Sequence, residues 1–316
     1  MKMLIFGGTG SLGKTLIARY IEDYEVFVFS RDEAKHVTIK QLYPKVKSLI
    51  GDVRDRDAVF GAILKVKPDI IINAAALKNV PEVEEVPMEG IKTSLLGTEN
   101  INMAARHLGH ACKILTISTD KATKPCNSYG MAKALQERLH IRSNGDGLVC
   151  NAVRYGNVLE SRGSLIPILK ERFKNNQPIT ITHKDMTRFF MTLDASVDLI
   201  NRALQDEEGG KLFIPNIRSA KIVDVVELLG QTYHINPNLV SFSRIRPGEK
   251  LDEVLICKEE LPRTERKGSV FVIHDILSDV YFDELGEEYN SGASHVLLNI
   301  EQLNNFLWES GVYNEL

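Results

Sequence analysis

The 316-residue chain has little of what marks several large protein classes. No apolar run approaches the roughly 18 residues that a membrane span needs, and the opening MKMLIFGGTG lacks the long apolar core and small-residue cleavage site of a signal peptide. A cytoplasmic location without membrane contact is the expectation. The four cysteines, Cys112, Cys126, Cys150 and Cys257, show no C-x-x-C spacing, which speaks against a disulfide framework or a zinc site and for reduced thiols. No metal is expected. A net charge of −3 gives no field to gather nucleic acid or an anionic membrane surface, so an anionic ligand has to be held by local groups. Repeats, low-complexity tracts and a long Pro/Ser linker are missing as well.

What is present is enough apolar content, 43%, for a large core, and a regular alternation of strand and helix. KMLIF, EVFVFS, VKSLIG, DIIINAAA and KILTIST are short apolar runs separated by helix-length amphipathic segments. That order predicts an α/β fold, a Rossmann-type doubly wound parallel sheet covered on both faces. After LVCNAVRYGNV the pattern loosens, and PITI, KLFIP, LVSFSRI and SVFVI stand as strand candidates among helices. We expect a cofactor domain over residues 1–160 and a smaller α/β substrate region over 161–316, some of whose segments return to the main sheet. The site is expected between them.

Gly7, Gly10 and Gly13 in IFGGTGSLGKTL follow the first strand and open the first helix. Glycines there permit a tight turn and close backbone approach, and the helix start offers unpaired N–H groups to a pyrophosphate. The second strand ends in Ser30 and Arg31 where an NAD site has an acidic residue. A guanidinium and a hydroxyl, with Lys35 nearby, suit a 2′-phosphate and favour NADP over NAD; the alternative has Arg31 solvated and Asp32 contacting the ribose. Asp52 after the third strand is expected near the adenine, and Ala74, Ala75 and Ala76 leave room beside the ribose and nicotinamide.

Tyr129 and Lys133 in YGMAK lie one helical turn apart and share a face. An ammonium there is expected to stabilise a phenolate and lower a tyrosine pKa that is ordinarily about 10. Asp120 and Lys121 lie just upstream in STDKATKPCNSYGMAK. Consecutive strand residues face opposite ways, so both can serve one site only where the strand has ended, and Pro125, which restricts Lys124 to extended or turn conformations, is expected to allow a kink.

GGTGSLG, the serine ahead of Y-G-x-x-K, and RYGNV together resemble the extended short-chain dehydrogenase/reductases. AALKNVPEVEEVPMEGIKTSLLGTENI, STDKATKPCNSYGMAK, RYGNVLESRGSLIP, DMTRFFMTL, IPNIRSAKIVDVVELL, RIRPGEKLDEVLI and EYNSG are similar, in order and wording, to the inverting UDP-N-acetylglucosamine 4,6-dehydratases of pseudaminic acid pathways. The likeness runs from residue 5 to about 292 and is poorest over 258–285. Phe6 stands where the fingerprint usually has threonine. Retaining sugar-nucleotide dehydratases carry S-T-D-E, so Lys121 replaces a glutamate base.

The resemblance implies that Tyr129 takes the C4 hydroxyl proton as hydride leaves C4 for the nicotinamide, that Lys121 then removes the acidified C5–H, and that Asp120 protonates the departing C6 hydroxyl. Thr119 joins the catalytic group by the same likeness. A dry site is expected to disfavour a charged Lys121, so that Asp120 and Lys121 form a neutral acid and base titrating together. The resemblance further assigns Thr9, Ser11, Leu12, Val53, Lys78, Asn157 and Val158 to the cofactor. It gives Lys78, Asn157, Arg162, Ile166 and Tyr289 to the substrate, a UDP-sugar. Arg188 and Arg246 suit the diphosphate or ribose, and Glu249 a ribose hydroxyl. A homo-oligomer, dimer or hexamer, is also implied. Release of a 4-keto-5,6-ene sugar, retention at C5, a UDP-sugar 4-epimerase and an NADP-sensing module without turnover are the other readings.

Overall fold

Alternate residues of strand β1 (Lys2–Phe6) enter two different cores, Met3 and Ile5 on one face and Leu4 and Phe6 on the other. A strand whose successive side chains are all buried in this way has to lie inside a sheet covered on both sides. The computed structural model, which describes residues 1–282 and 286–314, has this arrangement. Strands β2 (Glu25–Ser30), β3 (Lys47–Ile50), β4 (Ile70–Asn73), β5 (Cys112–Ile117) and β6 (Leu148–Val153) align parallel with β1 in the order β3-β2-β1-β4-β5-β6. That is the doubly wound Rossmann order, with its switch point between β1 and β4.

Helices α1 (Ser11–Tyr20), α2 (Glu33–Leu42), α3 (Arg56–Val66), α4 (Val80–Glu85), α5 (Pro87–Ile91), α6 (Gly97–Arg106) and α7 (Ser128–Arg142) connect them. Asp32, Asp55 and Asn127 cap α2, α3 and α7 by accepting from backbone N–H groups, which stabilises each helix start by about 1 kcal/mol.

The sheet does not stop at β6. Lys211–Pro215 adds parallel to β6, Val270–His274 pairs antiparallel with it, and Thr264–Lys267 forms the edge, giving nine strands. KLFIP and SVFVI, read as strand candidates in the second half of the sequence, thus extend the first sheet. Ile179–Ile181 pairs instead with Val240–Phe242 beside a separate core built on Ile166, Phe173, Val225, Leu229, Leu303 and Leu307. Of the poorly matching segment 258–285, residues 283–285 lie outside the described residues; the rest includes the two antiparallel strands.

Candidate active site

The β1–α1 turn is as tight as its glycines allow. Gly7 has φ of +76°, and a Cβ there would lie 2.8 Å from the Ala74 carbonyl oxygen; a Cβ on Gly13 would lie 2.2 Å from that of Gly8. The start of α1 carries no side-chain cap, which leaves its N–H groups for an anion. Above this turn opens a cleft of about 520 Å³. Gly7, Thr9, Gly10, Ser11, Leu12, Gly13, Ser30, Arg31, Asp32, Lys35, Asp52, Val53, Ala74, Ala75, Ala76, Lys78, Thr119, Tyr129, Lys133, Val158 and Arg162 all line it. The close backbone packing at Gly7 and Gly13 and the uncapped helix start fit a dinucleotide pyrophosphate.

At the far end of the cleft, Ser30 Oγ is 3.1 Å from Thr9 Oγ1 and 2.9 Å from His36 Nε2. Arg31 is 53% exposed and 3.6 Å from Asp52, whose carboxylate is also gripped by Arg54. Asp32 is occupied in capping α2 and in an ion pair with Lys35 at 2.6 Å. The mouth is crossed by a short strap, in which Lys78 Nζ donates to the Arg162 carbonyl and the Arg162 N–H donates to Ser11 Oγ at 3.0 Å.

Strand β5 ends at Ile117, and Asp120–Ala122 forms a 3₁₀ turn, so the kink needed at Asp120 and Lys121 is present. Lys124, ahead of Pro125, has φ of +45°, the turn alternative of the two expected, and follows closely on the 3₁₀ turn that changes the chain direction. The turn packs on α7 at Gly130, where a Cβ would lie 2.3 Å from the Lys121 carbonyl oxygen. Asn127 ties the same region to the second half of the chain by donating to the Gly248 carbonyl at 2.7 Å.

Two expectations about proton chemistry are corrected. Lys133, 3% exposed, donates to the Ile117 carbonyl and to Gln136 Oε1, both at 2.6 Å; burial, opposed by Glu137, lowers its pKa to about 8. Tyr129 is not lowered: burial pushes it up to about 12, with Lys121 acting against that and Asp120 adding to it. The protein groups around the phenol therefore do not by themselves make a neutral-pH base. Lys121 is also the reverse of the neutral amine expected. Burial alone would lower its pKa, but the Asp120 carboxylate at 3.0 Å and Glu253 at 3.4 Å outweigh burial and hold it raised as a cation.

The substrate-side residues scatter more. Asn157 pairs with Phe190 in a short strand beside the cleft. Arg246 and Glu249 close the R-P-G-E turn, with the Arg246 N–H donating to Glu249 Oε2 at 3.3 Å. Arg188 is buried and its guanidinium is committed to the carbonyls of Thr187, Lys250 and Leu251 and to Glu249 and Glu253, which corrects its expected role on a diphosphate. Ile166 is 1% exposed within the C-terminal core, so its side chain is a packing element. Tyr289 is likewise drawn inside, its ring against Phe189 and Phe271 and its hydroxyl donating to the Ile217 carbonyl.

Sequence reasoning missed Glu253, Lys250, Gln136 and Thr93. Glu253 stands in the stretch KLDEVLI, an acid entering a buried strand, which is the signal that was there to read. Thr93 reaches the cleft from a π-helical turn, Lys92–Leu96, a feature no periodicity announces. Among the described residues no group of three or more His, Cys, Asp or Glu side chains is placed to hold a metal ion. No helix among them is long and apolar enough to cross a membrane.

A Rossmann sheet with a glycine turn, and a helix presenting Tyr129 and Lys133 to the cleft above it, defines an enzyme fold of the nucleotide-sugar dehydratase and epimerase group of short-chain dehydrogenases. The chain belongs to the polysaccharide biosynthesis protein family, whose profile matches residues 3–275. It is 38% identical to a UDP-glucose 4-epimerase of Rickettsia bellii, over 96% of this chain and 94% of that one. An uncharacterized membrane protein of Methanocaldococcus jannaschii is 39% identical over 86% and 85%. Among solved structures, Pen from Bacillus thuringiensis superposes with a TM-score of 0.89 at 30% identity, covering 98% of each chain. The dTDP-glucose 4,6-dehydratase DesIV of Streptomyces venezuelae, solved with NAD and TYD bound, gives 0.70 at 19% identity, covering 79% of this chain and 87% of that one, a likeness of fold.

Proposed function

We propose that the chain is an NADP-dependent UDP-N-acetylglucosamine 4,6-dehydratase, yielding a 4-keto-6-deoxy sugar nucleotide inverted at C5 for pseudaminic acid or another surface glycan. The observation that carries this reading is the Asp120–Lys121 pair on its 3₁₀ turn, which lines up an acid and a cation against the helix of Tyr129. A 4-epimerase has no hydroxyl to expel and no use for such a pair.

The glycine turn, Ser30, Arg31 and Lys35 would hold the dinucleotide, which when bound supplies a hydride acceptor at C4 and the hydride returned to C6. Tyr129 takes the C4 hydroxyl proton. Lys133 offers the positive charge that favours a phenolate, and Thr119 a hydrogen bond that lowers the phenol pKa. Transfer of one proton across the 3.0 Å between Lys121 and Asp120 turns the ion pair into an amine and an acid. The amine then removes C5–H and the acid releases C6–OH as water, which restores the ion pair; as C6 is reduced, C5 takes up a solvent-exchangeable proton, and the proton that Tyr129 took from the C4 hydroxyl is given up to solvent, which restores the resting protonation. Lys78, Asn157, Arg162, Arg246 and Glu249 are the groups left to hold the UDP-sugar. Val86, Met88, Leu96, Met131 and Leu135, exposed apolar side chains on the α4 to α7 side, support a homo-oligomer.

Incubation with UDP-N-acetylglucosamine and mass analysis tests the proposal: loss of water, with a C4 deuterium recovered at C6, is expected. An alkene without that label would reduce the reading to 5,6-ene release. The second reading, a UDP-sugar 4-epimerase, draws support from the name of the Rickettsia relative and from Lys121 being held as a cation rather than a free base; it predicts a C4 epimer of unchanged mass.

A further inference from the structure

The cluster around Lys121 contains a charged group that the roles above do not use. Glu253 is 2% exposed and immediately precedes the strand Val254–Ile256. Its Oε1 lies 3.4 Å from Lys121 Nζ and 3.8 Å from Arg188 Nε; its Oε2, 3.5 Å from Lys250 Nζ, is buried and accepts no hydrogen bond. The backbone at this point is fixed twice over, since the Glu253 N–H donates to Ser291 Oγ at 2.8 Å and the Ser291 N–H to the Glu253 carbonyl at 2.9 Å. The carboxylate is thus fixed beside Lys121 with one buried oxygen that accepts no hydrogen bond, a feature that calls for a role.

The charged and titratable groups facing this cluster come from several elements. Asp120 and Lys121 come from the 3₁₀ turn, Tyr129 from α7, Arg188 from the strand Thr187–Met191, and Glu249 and Lys250 from the segment leading to Glu253. Among the described residues, Asp120 and Glu253 are the two carboxylates in ion-pair range of Lys121. Lys250 also donates to the Thr123 carbonyl at 2.6 Å, so the Glu253 segment holds the catalytic turn as well as its lysine.

We propose that Glu253 is a positioning residue that pins the Lys121 ammonium opposite Asp120 and keeps one proton on the Asp120–Lys121 pair. The inference rests on the dehydratase reading only for the use made of that pair. A fixed negative charge 3.4 Å from the Lys121 ammonium favours its protonated form. The proton can move from Lys121 to Asp120, which creates base and acid together, but its escape to solvent, which would leave a base without an acid, is opposed.

Trace acylation with acetic anhydride at mildly alkaline pH, read by peptide mass spectrometry against the exposed Lys65, reports the amine fraction of Lys121 without any need for turnover. In Glu253→Gln the relative labelling of Lys121 should rise about tenfold or more, as follows from losing an opposite charge at this distance. In Glu253→Asp, which keeps the charge, it should stay near wild type. No rise in Glu253→Gln, or an equal rise in Glu253→Asp, which would mean loosened packing, overturns the proposal. Should Glu253→Gln fail to fold, Asp120→Asn decides. Lys121 still shielded relative to Lys65 supports Glu253 as the remaining counter-charge, and labelling as fast as that of Lys65 overturns it. If the rise is seen while wild type removes no water from UDP-N-acetylglucosamine, the role of Glu253 stands and the dehydratase reading falls. If water is lost without the rise, the dehydratase reading stands and the role of Glu253 falls.

Discussion

Lys133, 3% exposed, and Lys121, whose side chain is 23% exposed, both lie near Tyr129, yet one donates to neutral oxygens and the other is paired with carboxylates. Burial lowers Lys133 to about 8. At Lys121 the same effect is overridden by Asp120 and Glu253. Depth decides Lys133 against the opposing charge of Glu137, whereas at Lys121 the charged partners set the direction. The difference separates two kinds of work: Lys133 can exchange its proton near neutrality beside the tyrosine, whereas Lys121 keeps its proton until Asp120 accepts it.

Removing each lysine in turn should separate the two most visibly. Lys121→Ala should lower C5–H exchange by about 10²- to 10⁴-fold, the usual worth of a general base, while cofactor reduction by C4 oxidation persists in a single turnover. Lys133→Ala should lose both. Equal loss of C4 oxidation in the two variants would erase the distinction.

The next effect is on pH. Because the competent state pairs a Tyr129 phenolate, pushed up to about 12, with a Lys133 ammonium, lowered to about 8, C4 oxidation should rise by up to about tenfold per pH unit until about 8 and level off above it. Lys121 is held raised, so it should add no loss in that window. Pre-steady-state cofactor absorbance across this range checks the limb. A flat profile through 8 would contradict the assignment.

The cofactor end of the cleft was more legible in the sequence than the substrate end, for a physical reason. Gly7, Gly10 and Gly13 act through local backbone geometry, and that geometry is fixed by a few consecutive residues. Tyr129 and Lys133 share a helix face by spacing alone. The charge on Lys121, by contrast, depends on Glu253, which is brought up by a strand more than a hundred residues later, and no local pattern carries that contact. Tyr289 and Arg188 were misread because an aromatic hydroxyl or a guanidinium looks the same in sequence whether it meets a ligand or a buried carbonyl. Lys211–Pro215 and Val270–His274 are legible as strands, and the return of some segments to the main sheet is expected, but which ones return is set by long-range pairing that no local pattern carries.

Smaller effects distinguish the two ends of the cleft. Arg31→Ala should weaken NADP binding about tenfold or more, the worth of one charged hydrogen bond, and leave NAD binding nearly unchanged. Fluorescence titration with both dinucleotides would show it, and equal loss for both would remove the case for a 2′-phosphate. Gly130→Ala, placing a methyl 2.3 Å from the Lys121 carbonyl oxygen, should destabilise the fold by about 1–3 kcal/mol in a denaturant titration. It should also lower C5–H exchange more than C4 oxidation, because the turn bearing Lys121 has to move and Lys133 does not.

The roles given to Lys121 and Asp120, removal of C5–H and expulsion of the C6 hydroxyl, meet their sharpest test when wild type and Lys121→Ala act on UDP-N-acetylglucosamine in deuterated water, with mass and NMR analysis of the sugar nucleotide. Wild type should give a dehydrated product carrying solvent deuterium at C5, and the variant should show neither water loss nor C5 deuterium. A wild-type product of unchanged mass, epimerised at C4 and free of C5 deuterium, would contradict both roles.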